Sequence, residues 1–367
     1  MMNFSKRMQM LLCSAFTFSL SMWAGDGLTM VVGTYTDTGS TGLYSFMFNQ
    51  QTGETMLLDS LSMTNPSYLT FAHRSHLLYV VSETNDNHAA VCTVGLNETT
   101  GQMRLLNRQL TGGEDPCFVE TNGRMVLTAN YSGGTMSVFP VLRNGLIGAR
   151  RYRFAGHANA HAAALQNTAH VHAARFAPNG CVYATDFSAD QLLSFKPISP
   201  VSLKPLGVAG RLPQGEAPRH IAFAPNGRYV YVMSELGGAV TVFKWKGHRL
   251  ERLQTIASDS VGGRGGADVH LSPDGRYLYA SNRLKADGIS IFKVDASTGK
   301  LSKVGYQSTE LHPRNFALTP NGRYLLCACR DGNCIQVFAR DAETGLLAIK
   351  QTIRLRKPVC IRFKTRN

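Results

Sequence analysis

Three observations predict an all-β fold, a seven-bladed β-propeller of four-stranded antiparallel blades. The first is a repeated phrase: an apolar anchor, then Pro-Asn/Asp-Gly-Arg-Tyr, then an apolar strand ending on polar residues. It reads FAPNGRYVYVMSE from Phe223, LSPDGRYLYASNR from Leu271 and LTPNGRYLLCACR from Leu318, with looser copies from Phe71, Val119 and Phe176. Successive starts lie 48, 57, 47, 48 and 47 residues apart. A period of about 40–50 residues made of short strands and glycine turns marks a propeller. The second is an out-of-phase series of hairpin turns at Gly53, Gly101, Gly145, Gly247, Gly299 and Gly345, each flanked by alternating apolar residues. The third lies at the two ends. The phrase occurs six times, and Pro358–Phe363 and Leu28–Thr36 supply the first two strands of a seventh, split unit. Pairing these strands closes the ring and removes the exposed sheet edge. Six or eight blades, and an open β-solenoid, are the competing readings.

The elements follow in chain order. Residues 1–24 read as a secretory signal peptide: Lys6 and Arg7 precede an apolar run from Met8 to Trp23, then Ala24-Gly25 opens mature-looking sequence. The run is short and broken by Ser and Thr, which argues against stable membrane insertion. Export would place the protein in the periplasm or medium; without cleavage it would be cytoplasmic. Residues 25–367 then form one propeller domain, since no charge run, low-complexity tract or composition shift marks a linker. Within it, only residues 190–215 lack a clear hairpin turn.

Eight cysteines include Cys13 in the leader, so seven remain in the propeller, and an odd number argues against a complete disulfide framework. Cys327, Cys329 and Cys334 lack metal-ligand spacing, and no metal or cofactor is expected. The formal net charge is +14, but Lys and Arg are dispersed and no aromatic-basic motif accompanies them. Nucleic-acid binding is therefore disfavoured, and attraction of a small anion is the reading retained.

Chemistry should lie where the repeats diverge. Four residues before the apolar anchors stand Ser67, His172, Arg219, Arg314 and, in the split blade, Val359; Pro66, Pro218, Pro313 and Pro358 immediately precede four of them. These positions should enter the innermost strands at one height of the tunnel. His170 shares the face of His172 by strand alternation, whereas His220 should face the other way. Eight residues after the repeated glycine come Tyr131, Glu235, Arg283 and Arg330, with Glu83 equivalent in the copy lacking the glycine. Arginine forks match carboxylate and phosphate oxygens, and a His or Glu near water serves as general base. The bland alternatives stay open: Arg314, Arg330 and Glu83 as structural ion pairs, His170 as a satisfied core histidine, and Asp186 and Asp190 as turn caps rather than cation ligands.

The stretches GTYTDTGSTGLYSF, NPSYL, ANYSGGTMSVF, HVHAARFAPNG, APRHIAFAPNGRYVYVMSEL, SPDGRYLYASNR and PRNFALTPNGRYL together resemble the seven-bladed lactonase family, from about Gly33 to Phe363. That family includes propeller-type 6-phosphogluconolactonases and carboxymuconate-cycloisomerase-like enzymes. The resemblance implies metal-independent lactone chemistry and a catalytic His, Arg, Glu and second Arg. By motif these are His170 or His172, Arg219, Glu235 and Arg283, residues that the repeat phase had already selected. There are departures: Leu165-Gln166 followed by Asn-Thr-Ala where an Arg-Gln is usual, Asp268 where a Glu is usual, and Ala-Cys-Arg at 328–330 where Ala-Asn-Gln is usual. The resemblance implies hydrolysis of a small anionic lactone, with 6-phosphoglucono-1,5-lactone first. His172 or Glu235 would activate water, Arg219 would stabilise the oxyanion and Arg283 would hold the acidic end. Arg314, Arg330, Glu83 and Tyr131 would line the substrate site. The alternatives are a lactonising isomerase, a calcium-dependent gluconolactonase, and a binding propeller without chemistry. Exposed aromatics grouped on one face would favour the last.

Overall fold

The computed structural model describes residues 27–73, 76–159 and 164–364. The leader therefore lies outside the described residues. The described chain forms seven four-stranded antiparallel sheets, and no helix long and apolar enough to cross a membrane occurs among these residues. We number the blades by their innermost strands: Leu69–Phe71, Pro116–Thr121, Val171–Phe176, Pro218–Phe223, Gly266–Leu271, Pro313–Leu318 and, for blade 7, Pro358–Phe363. Neighbouring innermost strands pack against one another around the full ring. Closure is as expected: Pro358–Phe363 pairs with Gly27–Thr34, with Val32 opposite Ile361, so blade 7 joins both ends of the domain.

The second strand of each blade carries the core. Leu77–Ser82, Met125–Asn130, Tyr229–Ser234, Tyr277–Asn282 and Tyr324–Cys329 are buried along their whole length, because both faces meet neighbouring blades. Outer strands such as Thr55–Ser62 and Leu347–Arg354 are mostly exposed or half-buried. The hairpin missing from the sequence reading is present. Gln191–Ser199 and Ser202–Arg211 form it, turning through Pro200-Val201 without a glycine.

The two out-of-phase sequence markers meet in space. In the three full copies of the phrase the Tyr of Arg-Tyr reaches the hairpin turn of the next blade: Tyr229 Oη donates to Ser297 O at 2.6 Å, Tyr277 Oη to Glu343 O, and Tyr324 Oη to Gln51 O at 2.9 Å. Gly345 has φ +75° and lies so close to the Tyr277 ring that a Cβ there would collide with it. The repeated Arg-Tyr and the repeated turn glycine are thus two halves of one inter-blade joint.

Candidate active site

The entry to each innermost strand sets the site. In blades 2, 4, 6 and 7 a proline opens the strand, and in blade 1 Pro66 stands three residues before it; each is preceded by a positive-φ residue, Asn65 at 41°, Asp115 at 50°, Ala217 at 54°, His312 at 62° and Lys357 at 46°. The carbonyl of that preceding residue accepts the amide of the last residue of the phrase. Glu83 N bonds Asn65 O, Tyr131 N bonds Asp115 O, Glu235 N bonds Ala217 O, and Arg330 N bonds His312 O, all at 2.8–3.0 Å. Arg283 N makes the same bond to Gly265 O at 3.0 Å. One device therefore holds both predicted rings together at one end of the tunnel.

Ser67, Arg219, Arg314 and Val359 line one narrow cavity in the tunnel, joined by Cys117, Tyr68, His220 and Asn315. Two of these additions were legible only with a correction. The turn after Pro116–Thr121 is two residues shorter than that after Pro218–Phe223, so counting back from the anchor Val119 lands on Asp115 and hides Cys117. A register shift between Pro218 and His220 interrupts alternation, so His220 joins Arg219 in the cavity instead of facing away. The second ring also includes Tyr35 and Phe187, which the glycine count missed; their amides bond Lys357 O and His170 O.

Glu235 is the hub. Its Oε2 accepts Arg219 Nε at 2.9 Å and lies 3.2 Å from Arg283 Nη2. Its side chain is 24% exposed, while Arg219 and Arg283 are almost wholly buried. Burial alone would raise this carboxyl, but Arg283, Arg219 and Arg314 outweigh it and hold Glu235 below the usual glutamate range. Glu83 is the opposite case. Burial dominates and raises it, despite Arg314 nearby and hydroxyls of Ser67 and Tyr35 donating to its two oxygens.

The arginines differ in what they have left to offer. Arg283 is spent inside the protein: Nε donates to Gly265 O at 3.0 Å, Nη2 to Gly266 O at 3.1 Å, and Nη1 faces His312 Nε2 at 3.3 Å. Arg219 gives Nη1 to Ala267 O at 2.7 Å, and its Nη2 makes no hydrogen bond among the described residues. Arg314 has neither an ion pair nor a hydrogen bond among the described residues; it lies 5.4 Å over the Tyr35 ring. The ion-pair reading of Arg314 is thus not what the structure has. Arg330 does follow it, clamping Asp331 with Nε at 3.0 Å and Nη2 at 2.9 Å.

His172 is buried beside Cys117, whose Sγ lies 3.7 Å from Nδ1. Burial first, then Arg219, His220, Arg314 and Arg283, hold it well below the usual histidine range, so it is neutral at pH 7. His170 stacks on Tyr131 at 4.3 Å, donates Nδ1–H to Tyr131 O at 2.9 Å, and meets Thr168 Oγ1 through Nε2 at 3.1 Å. That is a satisfied packing histidine. Beneath Arg219, His220 Nε2 faces Arg219 Nη1 at 3.3 Å while its Nδ1–H donates to Asp268 at 2.6 Å. Asp186 accepts from His157 and Gln191, and Asp190 from Gln166 and the amides of Gly215 and Ala217, so both tie distant loops together. No metal-binding group of three or more ligands occurs among the described residues. A surface depression of about 960 Å³ between the outer strands of blades 7 and 1 contains none of the ring residues.

A sequence profile described as "Lactonase, 7-bladed beta-propeller" matches residues 29–363. The chain belongs to this lactonase family. It is 34% identical over 332 residues to the 6-phosphogluconolactonase of Formosa agariphila, covering 87% of this chain and 94% of that one. A crystal structure of a candidate 6-phosphogluconolactonase from Bacteroides uniformis shares 50% identity and a TM-score of 0.90, covering 92% of this chain and 100% of its own. The periplasmic gluconolactonase of Pseudomonas aeruginosa has a TM-score of 0.88 at 29% identity, covering 92% of this chain and 99% of its own.

Proposed function

We propose that the protein hydrolyses a sugar lactone, with 6-phosphoglucono-1,5-lactone as the first substrate to consider, in the tunnel mouth around Glu235. The observation that carries this is the pairing of Arg219 and Arg283 on one Glu235 oxygen, beside an Arg314 with no partner of its own among the described residues. Glu235 Oε1 is the free, partly exposed oxygen of an ionised carboxylate and takes the proton of the attacking water. Water oxygen adds to the lactone carbonyl carbon, and the oxyanion is met by Arg219 Nη2. Collapse breaks the ring C–O bond, and Glu83, the carboxyl raised by burial, supplies the proton to the leaving alkoxide. Arg314 holds the anionic end of the substrate, the part the sequence assigned to Arg283, whose donors are already engaged. Arg283 instead keeps Glu235 ionised.

A non-catalytic binding propeller finds less support. Among the described exposed large hydrophobic residues Tyr152 is the one aromatic, so no aromatic face is presented. Export, inferred from the leader, completes the proposal and would favour an unphosphorylated lactone over a cytosolic sugar phosphate.

The test is pH-stat hydrolysis of 6-phosphoglucono-1,5-lactone and of glucono-1,5-lactone with a chelator present, each against its spontaneous rate. Acceleration of either supports lactone hydrolysis, and the ratio names the preferred substrate. No acceleration of either sinks the proposal.

A further inference from the structure

The tunnel has a second, chemically separate compartment. Tyr68 and Phe118 stack at 4.4 Å, and the His220 ring meets both edge-on at 5.8 and 5.5 Å. This aromatic layer closes the cavity beneath Arg219. On its far side a funnel of about 370 Å³ opens toward the other face of the ring, lined by Tyr68, Thr70, Glu120, Arg175, His270 and Arg362 among others.

The polar valences of this funnel are unbalanced in one direction. Its acceptors are filled. Glu120 takes both Nε and Nη2 of Arg175, at 3.0 and 3.3 Å. Asp268, buried behind the funnel wall, accepts from His220, His270, Asn315 and the amides of Val269 and Phe316. Its donors are not filled. Arg362 lies 4.5 Å over the Tyr68 ring and spends only Nη1, on Ile361 O at 2.7 Å and more weakly on Asn315 at 3.5 Å. No carboxylate pairs with Arg362 among the described residues, and its Nε–H and Nη2–H have no acceptor there. The Tyr68 hydroxyl likewise makes no hydrogen bond among the described residues.

We propose that this far funnel is an anion-binding site, distinct from the active site, in which Arg362 and the Tyr68 hydroxyl grip a small oxyanion, a carboxylate or phosphoryl group. A guanidinium set over an aromatic ring leaves its unspent N–H groups for an anion, and two of them on one fork recognise two oxygens of such a group. The ring also replaces water over one face of the cation, which strengthens the contact with an anion. The strongly positive chain draws anions toward both mouths.

The experiment is calorimetric titration with two probes, inorganic phosphate and acetate, in an Arg314→Gln background that removes the anion-holding guanidinium of the upper mouth. The proposal expects this protein still to bind at least one probe, and Arg362→Gln added to it to weaken that binding tenfold or more. Tyr68→Phe, which keeps the stack and removes the hydroxyl, should weaken it severalfold and serves as the second reading where Arg362→Gln does not fold. Binding of phosphate alone assigns the site to phosphoryl groups; binding of acetate alone assigns it to carboxylates. Binding of neither probe in the Arg314→Gln protein overturns the proposal, as does equal affinity with and without Arg362. These readouts do not involve lactone turnover, so the site stands or falls separately from the proposed activity.

Discussion

At the scale of single residues, the four arginines near the tunnel mouth are separated by how many donors each has left. Arg314→Gln removes the unengaged guanidinium and should lower kcat/KM by about 10–10²-fold, the cost of losing a charge-assisted hydrogen bond to the anionic end of the substrate. Arg330→Gln removes a side chain that already clamps Asp331, and kcat/KM should change less than about threefold, as for a half-buried ion pair whose donors are spent within the protein. Steady-state kinetics on the two variants checks both; equal losses would contradict the assignment. The pH dependence follows from Glu235. Arg283 and Arg219 hold its carboxyl below the ordinary value of 4.5, so the carboxylate that accepts the proton persists into mild acid. The acid limb of kcat/KM should therefore fall below pH 4.5. A limb near pH 6 would contradict Glu235 as the base.

At the scale of the element, the phrase and the turn glycine were both readable because each repeats, and repetition exposes a common structural duty. Their meeting across blades was not readable, since it depends on which turn lies beside which tyrosine. Gly345 tests that joint. Gly345→Ala places a Cβ against the Tyr277 ring at a positive φ, and should destabilise the fold by about 1–3 kcal/mol, measured as a shift in urea midpoint. The site was partly legible for the same reason. Arg219, Glu235 and Arg283 stand at equivalent repeat positions, so phase alone found them. Cys117 was hidden by a turn two residues shorter, and His220 by the register shift after Pro218 that breaks period-two alternation. The hairpin at Pro200-Val201 escaped because it turns without glycine. Which arginine stays unengaged is a matter of acceptor geometry, and no spacing encodes it.

At the scale of the whole molecule, ring closure and buried histidines govern stability. Blade 7 takes its innermost strand from residues 358–363 and its other three from the opposite end of the domain. Truncation after Lys357 should leave an open edge at Gly27–Thr34 and abolish cooperative thermal unfolding. A sharp transition near that of the full chain would show that closure is dispensable. Burial, followed by Arg219, keeps His172 neutral and pushes His220 down to about 3. Below the ordinary histidine value of 6.5 the unfolded chain takes up protons at both positions while the fold does not. Stability is therefore fully present above that value and falls as pH drops beneath it. Each histidine contributes about 1.4 kcal/mol of loss per pH unit, so about 3 kcal/mol is lost on going one unit below, read from urea midpoints. Unchanged stability across that range would mean that the two rings take up protons within the fold.

The central claim is that Glu235, held ionised between Arg219 and Arg283, activates the attacking water at the tunnel mouth. Glu235→Gln tests it most directly, because glutamine keeps the shape and can still accept from Arg219 Nε while removing the base. With 6-phosphoglucono-1,5-lactone or glucono-1,5-lactone, whichever the native protein turns over faster, kcat should fall by about 10²-fold or more and the acid limb should disappear. KM should change little, and near-ultraviolet circular dichroism should stay native. A folded Glu235→Gln protein with undiminished kcat would contradict the account and move the chemistry away from this carboxylate.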